Sequence, residues 1–451
     1  MSSQRPNVLW LMTDEQRTDS LGCYGSSWAQ TPHLDAVAAR GACFEAAMTP
    51  SPVCVPARVS LLGGHRPSET GVLSNVDHSA HWQPLTHVFR DHGYRTATFG
   101  KQHYLPRGAF ETEVDEVLSD AVDYFAYADD YNEDDWQVVK YPSEQRGWLF
   151  GGRFPDSTQN TAEARVVAAA RQWLEAHDPR TPFFLRLSFN SPHTPVVPPA
   201  PFDTVLDTAD IAVPGAFDAP LGDVPAWEAD FLRDFQGSHR LTEAQLERAH
   251  QCYYGLVSFV DAQFGAILEW MDRRRMLENT IIAFCSDHGT HLGDHGMMQK
   301  QTFYEPVVRV PFFITAPRST AVPCRVSTPV GTRSLLPTLL DLCGLEPPEA
   351  LERLNLADTV RTGAEPEARA VVSELTQATW GYRPNDRLMM VRRGRWKLSS
   401  FYDGPGTDPL SEWADASLYD LHSDPWETRN LIRQPGHARI AKGLLRRATT
   451  Q

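Results

Sequence analysis

At 451 residues the chain is long enough for one large α/β domain with a smaller companion, and its 41% hydrophobic and 22% charged content is that of an ordinary globular enzyme. A formal net charge of −15 argues against nucleic acid or an anionic membrane surface as a general partner, but leaves room for a small anionic ligand in a locally positive pocket. Seven cysteines without a Cys-x-x-Cys pair argue against a disulfide framework or a zinc site; no apolar run approaches the ~20 residues of a membrane span, and Met1 to Pro6 leads into a strand-like run rather than a signal peptide, so a cytoplasmic protein is expected.

The first element is Asn7-Val8-Leu9-Trp10-Leu11-Met12-Thr13, apolar without alternation, which predicts a strand buried on both faces of a parallel sheet. It ends on Asp14-Glu15. Neighbouring side chains of a regular strand point to opposite faces, so both acids reach one site only if the chain turns directly after the strand. A helix N-cap is the structural alternative.

Next comes Ser51-Pro52-Val53-Cys54-Val55-Pro56-Ala57-Arg58-Val59-Ser60-Leu61-Leu62-Gly63-Gly64-His65-Arg66-Pro67. Pro56 suits a first helical turn and the paired glycines suit its far end. That puts Cys54 at a helix N-terminus, where free N–H groups and the dipole favour an anion. Arg58 adds a fixed cation one turn on. Taken alone, Cys54 reads as a small buried apolar residue.

Gly93 to Phe99 predicts a second strand, opening into Gly100-Lys101-Gln102-His103, and Pro182 to Phe189 a third, opening into Asn190-Ser191-Pro192-His193. Thr280 to Cys285 predicts a fourth, opening into Ser286-Asp287-His288-Gly289, and Val310 to Thr315 follows behind Lys300 and Arg309. Helical segments at 161–176 and 242–276 lie between them, the second opening on a Thr242-x-x-Gln245 capping box. Strands alternating with helices predict an α/β fold, a large mainly parallel sheet sandwiched by helices, with its ligand site beyond the carboxyl ends of the strands. Four strands that end on Asp, Lys/His, His and Asp-His make one shared site the economical reading.

Residues 111–141 interleave acids with aromatics, from Glu111 to Trp136, and read as a solvated loop or as a pocket wall suited to a cationic or sugar-like group. Residues 196–240, rich in Pro and Asp, predict a surface excursion with little core. Beyond about 360, short strand signals at 370–375, 387–392 and 396–402 predict a smaller α+β domain on an antiparallel sheet. The expected division is a catalytic domain over 1–360 and a C-terminal domain over 361–451.

Cys54-x-Pro56-x-Arg58 with its Leu61-Leu62-Gly63-Gly64-His65-Arg66-Pro67 tail resembles the signature of type I sulfatases of the alkaline phosphatase superfamily. Tyr419-Asp420-Leu421-x-x-Asp424-Pro425-x-Glu427-x-x-Asn430-Leu431 resembles the stretch that closes many of them. The resemblance runs from Asn7 to Leu431 and implies an alkaline phosphatase-like fold. It also implies a Cys54 oxidised to formylglycine by a formylglycine-generating or equivalent maturation enzyme, and a small anionic ester as substrate. It makes Asp14, Glu15, Asp287 and His288 the ligands of one divalent cation; for so oxygen-rich a set calcium is the expected ion, with manganese, magnesium and zinc as alternatives.

The same resemblance implies roles for the remaining groups. The formylglycine hydrate supplies the nucleophilic hydroxyl, Asp287 takes its proton, and His103 takes a second proton when sulfate is expelled. Arg58, Lys101 and Lys300 hold the sulfonyl oxygens and the hydrate; His193 and Lys300 are placed to protonate the leaving oxygen. Asn75 lies where phosphonate hydrolases also have an asparagine near the reacting group. Asp14-Glu15 stands where many sulfatases have Asp-Asp, and Asp287-His288 replaces Asp-Asn; these departures resemble choline sulfatases and phosphonate monoester hydrolases. The expected function is hydrolysis of sulfate monoesters. Phosphonate monoester or phosphodiester hydrolysis with the same nucleophile is the first alternative, and a non-catalytic binding protein that keeps the fold is the second. A homo-oligomer is compatible with the sequence.

Overall fold

The computed structural model describes residues 5–76, 84–104, 116–118, 138–141, 148–207, 224–231, 236–317, 321–376, 378, 385–402 and 416–449. Among these, eight strands form the central sheet: β1 (Asn7–Asp14), β2 (Ala42–Phe44), β3 (Arg95–Gly100), β4 (Glu116–Leu118), β5 (Phe183–Pro192), β6 (Thr280–Ser286), β7 (Phe312–Thr315) and β8 (Cys324–Val326). Their order is β8-β2-β7-β6-β1-β5-β3-β4. Pairing is parallel except at β7, which runs antiparallel to both β6 and β2. The chain therefore enters β7 at the edge where the parallel strands end, so residues just before it, Lys300 among them, lie on the same side as the strand termini.

The unbroken apolar runs reflect burial on two faces. Along β1, Leu9 and Leu11 belong to one core and Val8, Trp10 and Met12 to the other. In β6, Ile282 and Phe284 face the first and Ile281, Ala283 and Cys285 the second. The first core is covered by α2 (Ala162–Glu175) and the long α3 (Glu243–Arg273), the second by α1 (Cys54–Gly63) and α4 (Leu335–Leu342). The capping box forms as expected: the Thr242 side chain accepts from the Gln245 N–H and the Gln245 side chain accepts from the Thr242 N–H.

Every residue of α1 is buried, which is why its sequence is apolar nearly all round. Burying Leu61 and Leu62 alone contributes ~3–6 kcal/mol by area. The helix stops at Gly64, whose φ of 74° is open to glycine and whose hypothetical Cβ would lie 2.6 Å from the Leu351 side chain.

Four further strands, β9 (Val371–Thr376), β10 (Arg387–Arg393), β11 (Trp396–Phe401) and β12 (Ser417–Asp420), make an antiparallel sheet in consecutive order. Alternate residues serve two interfaces. Val372, Met389, Val391 and Leu398 pack on α5 (Ala438–Thr449), while Val371, Leu375, Leu388 and Met390 pack on Met48, Val53, Trp227 and Val308 of the larger part.

The segment at 196–240 departs from the expected surface excursion. Val196, Val197, Asp203, Trp227 and Phe231 are buried: Val196 joins the first core, Val197 packs with Val138 and Leu149, and Trp227 covers the second apolar face of the C-terminal sheet. The acidic, aromatic stretch at 111–141 lies outside the described residues apart from 116–118 and 138–141; there Val139 and Tyr141 are buried. All seven cysteines are free. No described helix is long and apolar enough to cross a membrane.

Candidate active site

Register brings the predicted residues to one edge. Thr13 of β1 pairs with Ser286 of β6, so Asp14 and Asp287 leave the sheet side by side. On the other flank of β1, Asp14 is level with Pro192 of β5, and Gly100 of β3 is level with Ser188, so His193 and Lys101 follow at the same edge. The turn needed to redirect Glu15 is present: Glu15 has φ 61°. A turn also ends β3. Gly100 has φ 96°, and a Cβ there would lie 2.1 Å from the Ser188 carbonyl oxygen, so only glycine delivers Lys101 to its place.

Cys54 is the first residue of α1 and is 1% exposed. Its Sγ lies 3.2 Å from Lys300 Nζ, 3.2 Å from His288 Nε2 and 3.8 Å from Asp14 Oδ1. Burial and the Asp14 carboxylate push the thiol up, but Lys300, Lys101 and His288 outweigh them and hold it well below the ordinary thiol range. The sulfur is thus set in a pocket built for negative charge.

Arg58 is fully buried and engages the two carboxylates instead of open space. Its Nη2 donates to Asp14 Oδ2 at 2.8 Å and its Nε to Asp287 Oδ2 at 2.8 Å, while Nη1 donates to the Lys101 carbonyl (3.0 Å) and to Ser188 Oγ (2.9 Å). A guanidinium fork alone can span two carboxylates and a strand end in this way. Asn75 is likewise occupied: its Oδ1 accepts from the Val55 N–H (2.9 Å), one of the free donors at the start of α1.

The other cations ring the sulfur. Lys101 Nζ pairs with Asp14 Oδ2 at 2.8 Å and donates to Asn190 Oδ1 at 3.0 Å. Lys300 is 3% exposed and pairs with Glu15. His193 directs Nε2 to Glu15 Oε1 at 3.6 Å and engages the Thr194 carbonyl through Nδ1 at 2.6 Å, with the Trp148 ring 6.3 Å away. His103 also reaches Cys54; burial lowers its pKa more than the Cys54 contact raises it. His295 stacks on Tyr304 with ring centroids 3.8 Å apart.

Ser188, Asn190, Trp148 and Thr49, which donates to the Asp287 carbonyl, are site residues the sequence reading did not assign. For two of them a signal existed. Arg186, Ser188 and Asn190 alternate along an otherwise apolar strand, marking one face of β5 as polar.

The donor set fits a divalent cation. Oxygens of Asp14 and Asp287, His288 Nε2 and Cys54 Sγ lie within 4.8 Å of one another, all buried. His288 Nδ1 is tied to the Gly289 carbonyl at 2.8 Å, which leaves Nε2 facing the carboxylates. Burial and the adjacent Asp14 push Asp287 up to about 7, and Asp287 outweighs burial to push His288 up to about 9. Glu15 lies outside this group; with Asp14 and His193 it forms a second one.

The sulfatase family profile matches residues 6–345. The chain belongs to the sulfatase family. A profile for the C-terminal part of N-sulphoglucosamine sulphohydrolase matches residues 293–451 of this sulfatase. It is 28% identical over 456 residues to the choline-sulfatase of Rhizobium meliloti, covering 96% of this chain and 84% of that protein. It is also 28% identical over 458 residues to an arylsulfatase of Clostridium perfringens, with 95% and 90% covered. In three dimensions the sulfatase resembles the phosphonate monoester hydrolase of Agrobacterium radiobacter, with a TM-score of 0.79 at 23% identity and 99% and 95% of the two chains covered, which is a likeness of fold.

Proposed function

We propose that this sulfatase hydrolyses sulfate monoesters through a formylglycine made from Cys54 by a maturation enzyme. The observation that carries the reading is the position of Cys54 Sγ, 3.2 Å from both Lys300 Nζ and His288 Nε2 at the start of a buried helix. Asp14, Asp287 and His288 would hold a divalent cation, which when bound neutralises the carboxylates and polarises the ester's anionic oxygens. The hydrated aldehyde contributes one hydroxyl that attacks sulfur and a second whose deprotonation expels sulfate.

The side chains then divide the work. Arg58 is a positioning residue, fixing Asp14 against Asp287 through two 2.8 Å contacts. Asp287 accepts the proton of the attacking hydroxyl, and His103, kept neutral by burial, accepts the second. Lys101 and Lys300 balance charge on the sulfonyl oxygens in a site without bulk water. His193, whose Nε2 is the closer to Glu15, gives a proton to the leaving oxygen. Asn75 holds the start of α1. Glu15 acts as the counter-charge of Lys300. We place the division between a catalytic and a C-terminal domain near residue 360.

Comparison of kcat/KM on an aryl sulfate and an aryl phosphonate tests the substrate, because both centres would meet the same clamps. Higher efficiency on the phosphonate would replace the reading with the phosphonate hydrolase one. The mass of the tryptic peptide 41–58 tests the modification: an unmodified thiol in protein made with a competent maturation enzyme would count against it.

A further inference from the structure

Arg186 has no part in the chemistry above, yet it sets a charge in the middle of a buried strand. β5 opens Phe183-Phe184-Leu185-Arg186-Leu187-Ser188, and Arg186 is fully buried. Its guanidinium lies over the Trp10 ring of β1, 5.4 Å from the centroid, and over the Tyr104 ring at 5.0 Å. Nε donates to Oγ1 of Thr98 at 2.9 Å, from the residue registered opposite on β3, and Nη2 donates to Gln102 Oε1. For stability alone an apolar side chain of similar length serves better here, because taking a guanidinium out of water is costly even when it is well hydrogen-bonded.

What Arg186 grips is the loop after β3, which carries Lys101 and His103. Lys101 has anchors of its own: its N–H donates to the Ser188 carbonyl at 2.7 Å, its carbonyl accepts from Arg58 Nη1, and its Nζ meets Asp14 and Asn190. The next three residues are held differently. Gln102, fully buried, accepts from Thr98 Oγ1 (3.0 Å) and from Arg186, and its amide nitrogen donates back to the Gly100 carbonyl (2.8 Å). Tyr104 lays its ring under the same guanidinium. His103 lies between these two with φ 44°, a left-handed conformation that a residue with a side chain keeps only when its surroundings impose it. One guanidinium therefore binds both neighbours of His103, by a hydrogen bond on one side and a ring face on the other.

We propose that Arg186 is a positioning residue for the expulsion of sulfate: through Gln102 and Tyr104 it fixes the backbone of His103 in the conformation that presents the imidazole to the hydrate. The inference rests on the role given above to His103. In that step the free hydroxyl of the hydrate passes its proton to His103, its carbon–oxygen bond becomes the double bond of the aldehyde, and the other carbon–oxygen bond breaks with its electron pair leaving on sulfate. Sulfate leaves only after the alcohol has gone. Slowing its expulsion therefore lowers kcat and KM by the same factor and leaves kcat/KM in place.

The test uses Arg186→Met and Arg186→Lys in the full chain with its mature Cys54. On an aryl sulfate kcat is expected to fall ~10-fold or more in both, since a lysine cannot span Thr98 and Gln102, with KM falling alongside and kcat/KM unchanged. The melting temperature of the methionine variant should not drop. A second readout needs no maturation: in the folded Cys54→Ala chain, adding Arg186→Met should quicken hydrogen exchange at residues 102–104 and leave α1 as it was. An unchanged kcat, a fall in kcat/KM at constant KM, or unchanged exchange at 102–104 overturns the proposal. Full kcat in Arg186→Lys does so too, because the charge and not the fork would then be the operative part. His103→Ala separates this inference from the reading beneath it: normal turnover there would remove His103 from the mechanism and the proposal with it, whereas a loss there beside normal kcat in Arg186→Met would sink the role of Arg186 alone. If Arg186→Met does not fold, Gln102→Leu decides, with the same joint fall of kcat and KM expected and normal kinetics overturning the proposal.

Discussion

Two groups of buried charge lie on either side of the residues that follow Lys300. At the sheet edge, Asp14, Asp287, Arg58, Lys101 and Lys300 crowd around the Cys54 sulfur. Against the C-terminal sheet, Lys397 lies 3.0 Å from Glu305 Oε1 and 2.5 Å from Glu427 Oε1, and Arg392 lies 2.8 Å from Glu305 Oε2. There Tyr304 donates to Glu228 (2.8 Å) and meets Tyr419 at 3.4 Å. Both groups are desolvated and both contain shifted pKa values, so neither property marks the site. They differ in where the donors aim. In the second group each charged atom closes on a fixed partner across an interface, whereas in the first two cationic nitrogens close on one nucleophilic atom. Convergence on a reactive atom separates a site from a brace.

The largest effect that sharpens this contrast belongs to Cys54→Ala. Turnover of an aryl sulfate is expected to fall by roughly three orders of magnitude or more while the melting temperature hardly moves; near-normal turnover would remove the nucleophile. Asp287→Asn should lose bound metal and activity together, by ~10²–10³-fold, and full metal occupancy by elemental analysis would point to another ligand set. Lys300→Met and Lys397→Met test the comparison most directly. The first should cost ~10²-fold in kcat/KM in the folded fraction, since it removes a cation that faces substrate, on top of the stability lost by leaving buried Glu15 without its counter-charge. The second should cost about 3 kcal/mol in urea unfolding with kcat/KM nearly unchanged in the folded fraction, since it leaves Glu305 and Glu427 facing each other without their lysine. If the two variants behaved alike, the distinction between the groups would fail.

How much of this was legible depended on whether the information was local. β1 and β6 announce themselves as apolar runs, and Thr242 with Gln245 announces the start of α3. That Asp14, Lys101, His193 and Asp287 end strands is readable; that Asp14 and Asp287 touch is not, because it follows from Thr13 pairing with Ser286. Side-chain destinations are equally invisible. The family resemblance makes Arg58 a substrate clamp, yet both carboxylates claim it. Trp227 looks like an isolated aromatic in a Pro- and Asp-rich stretch until the C-terminal sheet supplies the surface it covers.

The smallest expected effect concerns the brace alone. Glu228 is buried, and burial pushes its carboxyl from 4.5 up to about 8. It faces Tyr304, Tyr419, Glu427 and Lys397; the Tyr304 hydroxyl and Lys397 lower its pKa, Glu427 raises it, and burial decides. Between about 4.5 and 8 the folded chain therefore holds a proton that the unfolded chain has released. Stability from this group is complete below 4.5 and is lost as pH rises toward 8. Glu427, pushed up to about 7, acts in the same direction over a narrower window. Glu228→Gln keeps an acceptor for Tyr304 and is neutral at every pH, so its urea stability between pH 5 and 8 should fall less than that of the unsubstituted protein, by roughly 3–4 kcal/mol. Because no atom of Glu228 approaches Cys54 in the way Lys300 does, the pH profile of kcat/KM should stay unchanged in the same variant. A parallel shift of both profiles would mean that brace and site titrate as one unit, and that the two groups of buried charge are coupled through the residues after Lys300.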